Sequence, residues 1–286
     1  MYLCNRRVQP GVFYQPRTFE EALELKARYG DALTPLAGGT DLLVALNRGQ
    51  WEPTAILDLT QIVGNRGIEQ QNGYYAIAAG TTYADISRLP ITALREAALS
   101  IGGAQIRNRG TLAGNLATAS PAGDGAVALL ALDAIIEIAH ATRGTRRVPV
   151  RRFFVDYRRT VLAPDELIAR ICVPADWTSA WCKIGKRSSV NISLVCCAVG
   201  RSPQGQFCIG LGCAGPCPMY PPKTEALLNA HPLTAALVEQ AAKLVASEVR
   251  PIDDHRSSAA YRLAMCATLL RRLLMETFLP SGDGRT

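Results

Sequence analysis

No run of 18 apolar residues occurs in the 286-residue sequence, so no segment is long enough to cross a bilayer as a helix. The N-terminal MYLCNRRVQPGVF has two arginines but no apolar core after them, and a secretory leader is not expected. A GxSxG nucleophile elbow is missing, and so is any CxxC pair. Aromatics make up only 6% of the chain and are not interleaved with the arginines, and no DNA-binding motif is present. Histidine is rare: His140, His231 and His255 stand apart from one another and read as structural or exposed. No nucleophile–base pair emerges, and no residue is expected to serve as a catalytic acid or base.

Two features are plentiful. The net charge is +7, with basic residues gathered in runs such as TRGTRRVPVRRFFVDYRR at 142–159. Such a surface can meet nucleic acid, an acidic partner or a phosphorylated ligand, and a solvated hairpin is the plainer reading. There are nine cysteines, an odd and scattered set that suits reduced thiols in a cytoplasmic protein. The densest group, Cys208, Cys213 and Cys217 in CIGLGCAGPC, reads as small packing residues, with an iron–sulfur or zinc site as the alternative.

Along the chain, TFEEALELKARY at 18–29 carries a Thr-x-x-Glu capping box and predicts a helix ended near Gly30. A short strand then enters TPLAGGTD at 34–41, with Thr40 or Asp41 placed to cap a helix closed by Gly49. Strands are expected over 55–62 and from 74, with a turn at Gly80 and a capped helix to 86. A helix over 92–101 leads into a donor-rich loop, then TLAGNLATASPAGD at 111–124, then a buried segment beginning at Asp124. A hairpin (134–141 with 146–154) and a strand at 167–175 follow. Residues 182–217 read as an antiparallel meander turning at 202–206, and helices fill 234–249 and 257–278. The pattern predicts an α/β or α+β protein with a boundary near 175–180.

The two small-residue runs carry the chemistry. Gly38 and Gly39 lack Cβ atoms, so a turn there can expose consecutive backbone N–H groups at a helix start, a favourable setting for a phosphate. A Gly-Gly turn before a helix is also common without any ligand. Thr111, Ala113, Gly114 and Asn115 form a second close-approach backbone, and Asp124 offers a carboxylate to sugar hydroxyls or caps the next helix. Neither run is a GxGxxG or GxxxxGK[ST] fingerprint, which disfavours a Rossmann dehydrogenase and a P-loop NTPase.

LAGGTDLL, AQIRNRGTLAGNLATASPAGD and RPIDDHRSSAAYRLAM occur in this order over nearly the whole chain. Together they resemble the FAD-binding subunit of the xanthine dehydrogenase and carbon monoxide dehydrogenase family of molybdenum hydroxylases. The resemblance implies a vanillyl-alcohol-oxidase-like (PCMH-type) FAD-binding domain of two α/β subdomains at 1–176. A C-terminal domain of antiparallel sheet plus helices would occupy 177–286. It implies a first diphosphate loop of Thr34, Pro35, Leu36, Ala37, Gly38, Gly39, Thr40 and Asp41. Thr111, Leu112, Ala113, Gly114 and Asn115 would form the second, with Asp124 on a sugar or ribityl hydroxyl. Ile101 and Ile168 would lie near the flavin, and Lys183 would reach it from the C-terminal domain. Ala113 stands where the family usually has the first of two glycines. At a left-handed position it would cost about 1 kcal/mol in strain.

The resemblance also implies partner subunits carrying molybdenum-pterin and [2Fe-2S] clusters, with substrate oxidation, of a purine or similar heterocycle, on the molybdenum chain. Electrons would pass through FAD to NAD⁺ or another acceptor, in the cytoplasm. No metal site is expected on this chain, and neither nucleic acid nor membrane as a partner. The competing readings are a self-sufficient flavin enzyme of the same fold, a scaffold that has lost FAD, and a basic nucleic-acid binder.

Overall fold

The computed structural model describes residues 11–187 and 190–279, so Cys4 and most of the N-terminal stretch judged not to be a leader fall outside the described residues. Three elements open the chain: β1 (Val12–Tyr14), α1 (Phe19–Tyr29) and β2 (Leu33–Leu36). The capping box of α1 is present in full. The Thr18 side chain accepts from the Glu21 N–H, and the Glu21 carboxylate accepts in return from the Thr18 N–H. Lys26 is buried, and its ammonium donates to the carbonyls of Gly30 at 2.8 Å and Leu33 at 2.7 Å, tying the helix end to β2. After α2 (Leu42–Asn47), β3 (Ala55–Asp58) completes a parallel sheet in the order β1-β3-β2. The strand stops earlier than the expected 62, because the Asp58 carboxylate accepts from the Thr60 N–H at 2.9 Å and turns the chain.

The next elements are β4 (Ile68–Gln71), β5 (Tyr74–Ala78), α3 (Tyr83–Ile86), α4 (Thr92–Ser100), α5 (Ala104–Arg107), α6 (Leu112–Thr118) and α7 (Asp124–Ala131). They continue into β6 (Ile135–His140), β7 (Gly144–Pro149), β8 (Phe154–Asp156), β9 (Arg159–Thr160) and β10 (Leu167–Pro174). A five-stranded antiparallel sheet has the order β4-β5-β10-β6-β7, with Ile171 of β10 flanked by Ile77 and Ile136. The donor-rich loop after α4 contains one turn of helix, α5, and the expected strand over 146–154 ends at Pro149.

Then come β11 (Thr178–Ile184), β12 (Val195–Arg201), β13 (Phe207–Gly212), α8 (Pro222–Ala230), α9 (Ala235–Glu248) and α10 (Ala259–Leu273). The last three strands form an antiparallel meander, turning at Ser202–Gln206 as expected. Alternation along β12 assigns its faces: Val195, Cys197 and Val199 pack with α9 and α10, while Cys196 and Ala198 join the core that includes α4 and α7.

Glycines let α7 lie directly on that second face. A Cβ on Gly210 would stand 2.0 Å from the Val127 carbonyl oxygen, and one on Gly200 would stand 2.0 Å from that of Ala131. Gly210, Gly212 and Gly215 therefore spell a GxGxxG pattern for a packing reason, and the next helix starts only at Pro222. Gly210→Ala is expected to lower stability by about 3 kcal/mol, the upper end for overpacking, and a urea-unfolding midpoint measures it.

Burial sets the reactivity of three of the thiols. It pushes Cys208 and Cys266 up to about 12 and Cys213 up to about 11, so these are inert thiols. No cluster of three or more His, Cys, Asp or Glu that could hold a metal exists among the described residues. The basic run is largely neutralised from distant parts of the chain. Arg143 pairs with Asp165, Arg146 with Glu166, Arg147 with Glu137, and Arg151 with both Asp133 and Glu225. His140 is buried in the same hairpin. Its Nδ1 accepts from the Thr142 and Arg143 N–H groups, and its Nε2 faces Asp165.

Candidate functional site

Thr34, Pro35 and Leu36 are the last three residues of β2, in register with Ile56, Leu57 and Asp58 of β3. The chain leaves the sheet through Ala37 and Gly38, and Gly39 takes a left-handed φ of +75°. Gly38 packs so closely on the segment before the second run that a Cβ would stand 1.9 Å from the Arg109 carbonyl oxygen. Among the described residues, nothing accepts from the N–H of Gly38, Gly39 or Thr40. Asp41 is the N-cap residue of α2, but its side chain does not cap. It accepts instead from the Thr118 hydroxyl at 3.3 Å, a second bridge to the other run.

The close-approach backbone of the second run is the start of a helix. Thr111 is an N-cap whose hydroxyl accepts from the Gly114 N–H at 3.1 Å, and Leu112 to Thr118 form α6. Leu112 is fully buried beneath it. Ala113 lies inside this helix and is absent from the left-handed residues, so the strain expected there does not exist. The left-handed residue is Ala119, the C-cap, with φ 48° and 1% exposure. The two alanines should therefore respond oppositely to glycine. Ala113→Gly is expected to destabilise by about 1 kcal/mol through helix propensity, and Ala119→Gly to stabilise by a similar amount. Thermal unfolding of the two variants checks the pair.

Past α6 the chain reaches Asp124, which is 5% exposed at the first position of α7. Lys183 of β11 meets it in an ion pair at 2.9 Å, and both side chains are more than nine-tenths buried. The Lys183 ammonium also donates to the Ser100 carbonyl at 2.9 Å, and the Ser193 hydroxyl donates to the other Asp124 oxygen. The structure thus brings Asp124 and Lys183 together, but toward each other. Ile101 follows immediately as the C-cap of α4, half-buried against the core. Ile168 is buried in β10 just before a bulge, and the next residue, Ala169, accepts from the Ala79 N–H at 3.1 Å.

Several groups beside these residues gave no sequence signal. Ser100 and Ser193 are ordinary serines until folding brings them to Asp124. A cleft beside the first run is lined by Ala37, Gly38, Arg66, Gly80, Asn108 and Arg109, so two arginines border it. Asp85 holds Arg66 through two hydrogen bonds, and that bonding keeps the Asp85 carboxyl down to about 2. Arg109 makes no ion pair with a described residue. Such a cleft favours an anion.

Residues 6–176 match the family described as "FAD binding domain in molybdopterin dehydrogenase". The chain belongs to this family. Residues 180–277 match a second family, "CO dehydrogenase flavoprotein C-terminal domain". The chain is 30% identical to the nicotinate dehydrogenase FAD-subunit of Eubacterium barkeri over 282 residues, 92% of this chain and 95% of that one. It is also 30% identical to the putative xanthine dehydrogenase FAD-binding subunit of Escherichia coli, over 94% of this chain and 97% of that one. A solved carbon monoxide dehydrogenase chain from Hydrogenophaga pseudoflava superposes with a TM-score of 0.88 at 28% identity, covering 96% of this chain and 99% of that one.

The molecule is accordingly an oxidoreductase component with an FAD-binding domain of mixed helix and strand. The fit to such a cofactor rests on features of the molecule itself. The Gly38–Arg109 contact leaves no room for a side chain; among the described residues, the three N–H groups at Gly38–Thr40 have no acceptor and the buried Asn115 Oδ1 has no partner. No helix among the described residues is long and apolar enough to cross a membrane.

Proposed function

We propose that this chain is the flavin subunit of a molybdenum-containing hydroxylase. It would receive electrons from [2Fe-2S] clusters on one partner chain and pass them through FAD to NAD⁺ or another acceptor. The observation that carries the reading is the seating of the first glycine-rich run directly on Arg109 and Gly110, the residues that lead into the second, with the Gly38 to Thr40 N–H groups free of any acceptor among the described residues. The N–H groups of Gly38 to Thr40 and the start of α6 hold the diphosphate, and Thr34 to Asp41 and Thr111 to Asn115 form its walls. Asp124 keeps a free lone pair beside its bonds to Lys183 and Ser193 and takes a sugar or ribityl hydroxyl there. Ile101 and Ile168 supply apolar surface, and Lys183 fixes Asp124 from the C-terminal side. When bound, FAD supplies the chemistry that joins single-electron carriers to a hydride or electron acceptor.

This assignment places a PCMH-type FAD-binding domain at 1–176 and a separate C-terminal domain at 177–286. It also places the chain in a hetero-oligomer with a molybdenum-pterin subunit and a [2Fe-2S] subunit, and puts substrate oxidation, of a purine or similar heterocycle, on the molybdenum subunit. The buried reduced thiols suit a cytoplasmic setting. Purifying the tagged chain alone and with co-purified partners, followed by a metal and cofactor inventory, tests the proposal. FAD is expected on the chain alone, with iron and molybdenum only in the complex and no xanthine oxidation without partners. A chain that takes up no flavin, or that oxidises xanthine by itself, overturns it.

A further inference from the structure

Tyr83 is assigned no role by the family match, yet its surroundings give it one. It is 3% exposed, and its N–H donates to the Gly110 carbonyl at 3.0 Å, directly before the second glycine-rich run. The ring passes along Gly110, where an added Cβ would stand 3.5 Å from the Tyr83 Cδ2. The hydroxyl then points at the start of α7, where a Cβ on Gly125 would stand 2.8 Å from it. That hydroxyl is buried with no hydrogen-bond partner among the described residues. Burial first, and the Asp124 and Asp41 charges next, push the phenol well above its ordinary value, so it remains a neutral O–H group.

The Asn115 Oδ1 is the complementary orphan. It too is buried without a partner, and the same hypothetical Gly125 Cβ would stand 3.4 Å from it. One unused donor and one unused acceptor therefore flank a single gap made by glycine. An unpaired buried polar group is costly, and two complementary ones side by side are rarely left so. The Asn115 Nδ2 shows the opposite environment. It is not among the buried unpartnered atoms and donates to no described residue, so it faces outward from α6.

We propose that Tyr83 is a positioning residue for the cofactor's diphosphate. Once the diphosphate is in place, the Tyr83 hydroxyl donates, directly or through one ordered water, to the Asn115 Oδ1. The amide is thereby turned so that Nδ2 points outward as a donor to an anionic oxygen. Gly125 is small because a side chain there would break this link. The inference rests on the flavin reading above and extends it to a residue that never touches the cofactor.

The test is a double-mutant cycle of Tyr83→Phe and Asn115→Ala on the full chain, with FAD affinity and the melting temperature of the flavin-free protein both measured. Tyr83→Phe is expected to weaken FAD binding about tenfold when Asn115 is present, and to have no further effect in the Asn115→Ala background. The flavin-free protein should melt no lower than the native one, because the lost hydroxyl had no partner. Equal losses in both backgrounds, unchanged FAD affinity, or a lower melting temperature without flavin each overturn the proposal. A native chain that binds no FAD overturns the flavin reading with it. A native chain that binds FAD normally, with Tyr83→Phe unchanged, overturns only the role of Tyr83.

Discussion

Gly38→Ala is expected to give a folded chain that no longer retains flavin, with FAD affinity reduced at least about 100-fold. The new methyl would stand 1.9 Å from the Arg109 carbonyl oxygen and 2.6 Å from its carbon. These are backbone atoms, and the Gly110 N–H bond to Ile106 at 2.6 Å and the Tyr83 N–H bond to Gly110 at 3.0 Å hold that segment in place. The first run must therefore lift away from the second, and the backbone donors at Gly38 to Thr40 lose their common focus. A control separates this effect from a general penalty for replacing glycine. Gly49 has a left-handed φ of +64° but nothing within 4 Å of an added Cβ. Gly49→Ala should cost about 1 kcal/mol of stability and leave flavin binding unchanged. Equal flavin loss in both variants would contradict the steric account.

Lys183→Met is expected to destabilise the protein by about 3–5 kcal/mol, because it leaves the Asp124 carboxylate charged and buried without its counter-ion. The pair is 2.9 Å apart with side-chain exposures of 9% and 7%, so solvent cannot substitute for the lost ammonium. Asp124→Asn should be similarly costly by stranding Lys183, and the double variant should recover much of the loss. Because Lys183 lies on β11 and Asp124 on α7, the loss also loosens the seat of the C-terminal sheet on the first core. Denaturant unfolding of the two single variants and the double variant measures the coupling. Single losses below 1 kcal/mol would show that the pair is solvated rather than buried.

These interactions were legible in the sequence to different degrees, and the reason is range. The cap of α1 needs only Thr18 and Glu21, and the turn at 202–206 needs only its own residues, so local chemistry sufficed. Gly38 stood out because Gly-Gly before an apolar run is a local signal, although Arg109, the neighbour that makes it necessary, is far along the chain. The Thr111 cap gave no such signal, since a run of alanines and glycine suits a bend as readily as a helix. Packing of Leu112 and Leu116 into the core decides for the helix, and no single stretch of sequence contains that information. The Lys183 partner lies 59 residues away, and the Arg151 partner Glu225 lies 74 away. The basic run therefore looked like an open patch until the fold supplied its carboxylates.

The most direct test of the central idea follows the amide protons of Gly38, Gly39 and Thr40 by NMR during titration of the flavin-free chain with FAD and, separately, with riboflavin. These three N–H groups have no acceptor among the described residues, so a diphosphate placed there should move their resonances strongly downfield. Riboflavin, which carries no phosphate, should leave them in place. Tight FAD binding that leaves all three unmoved would contradict the account.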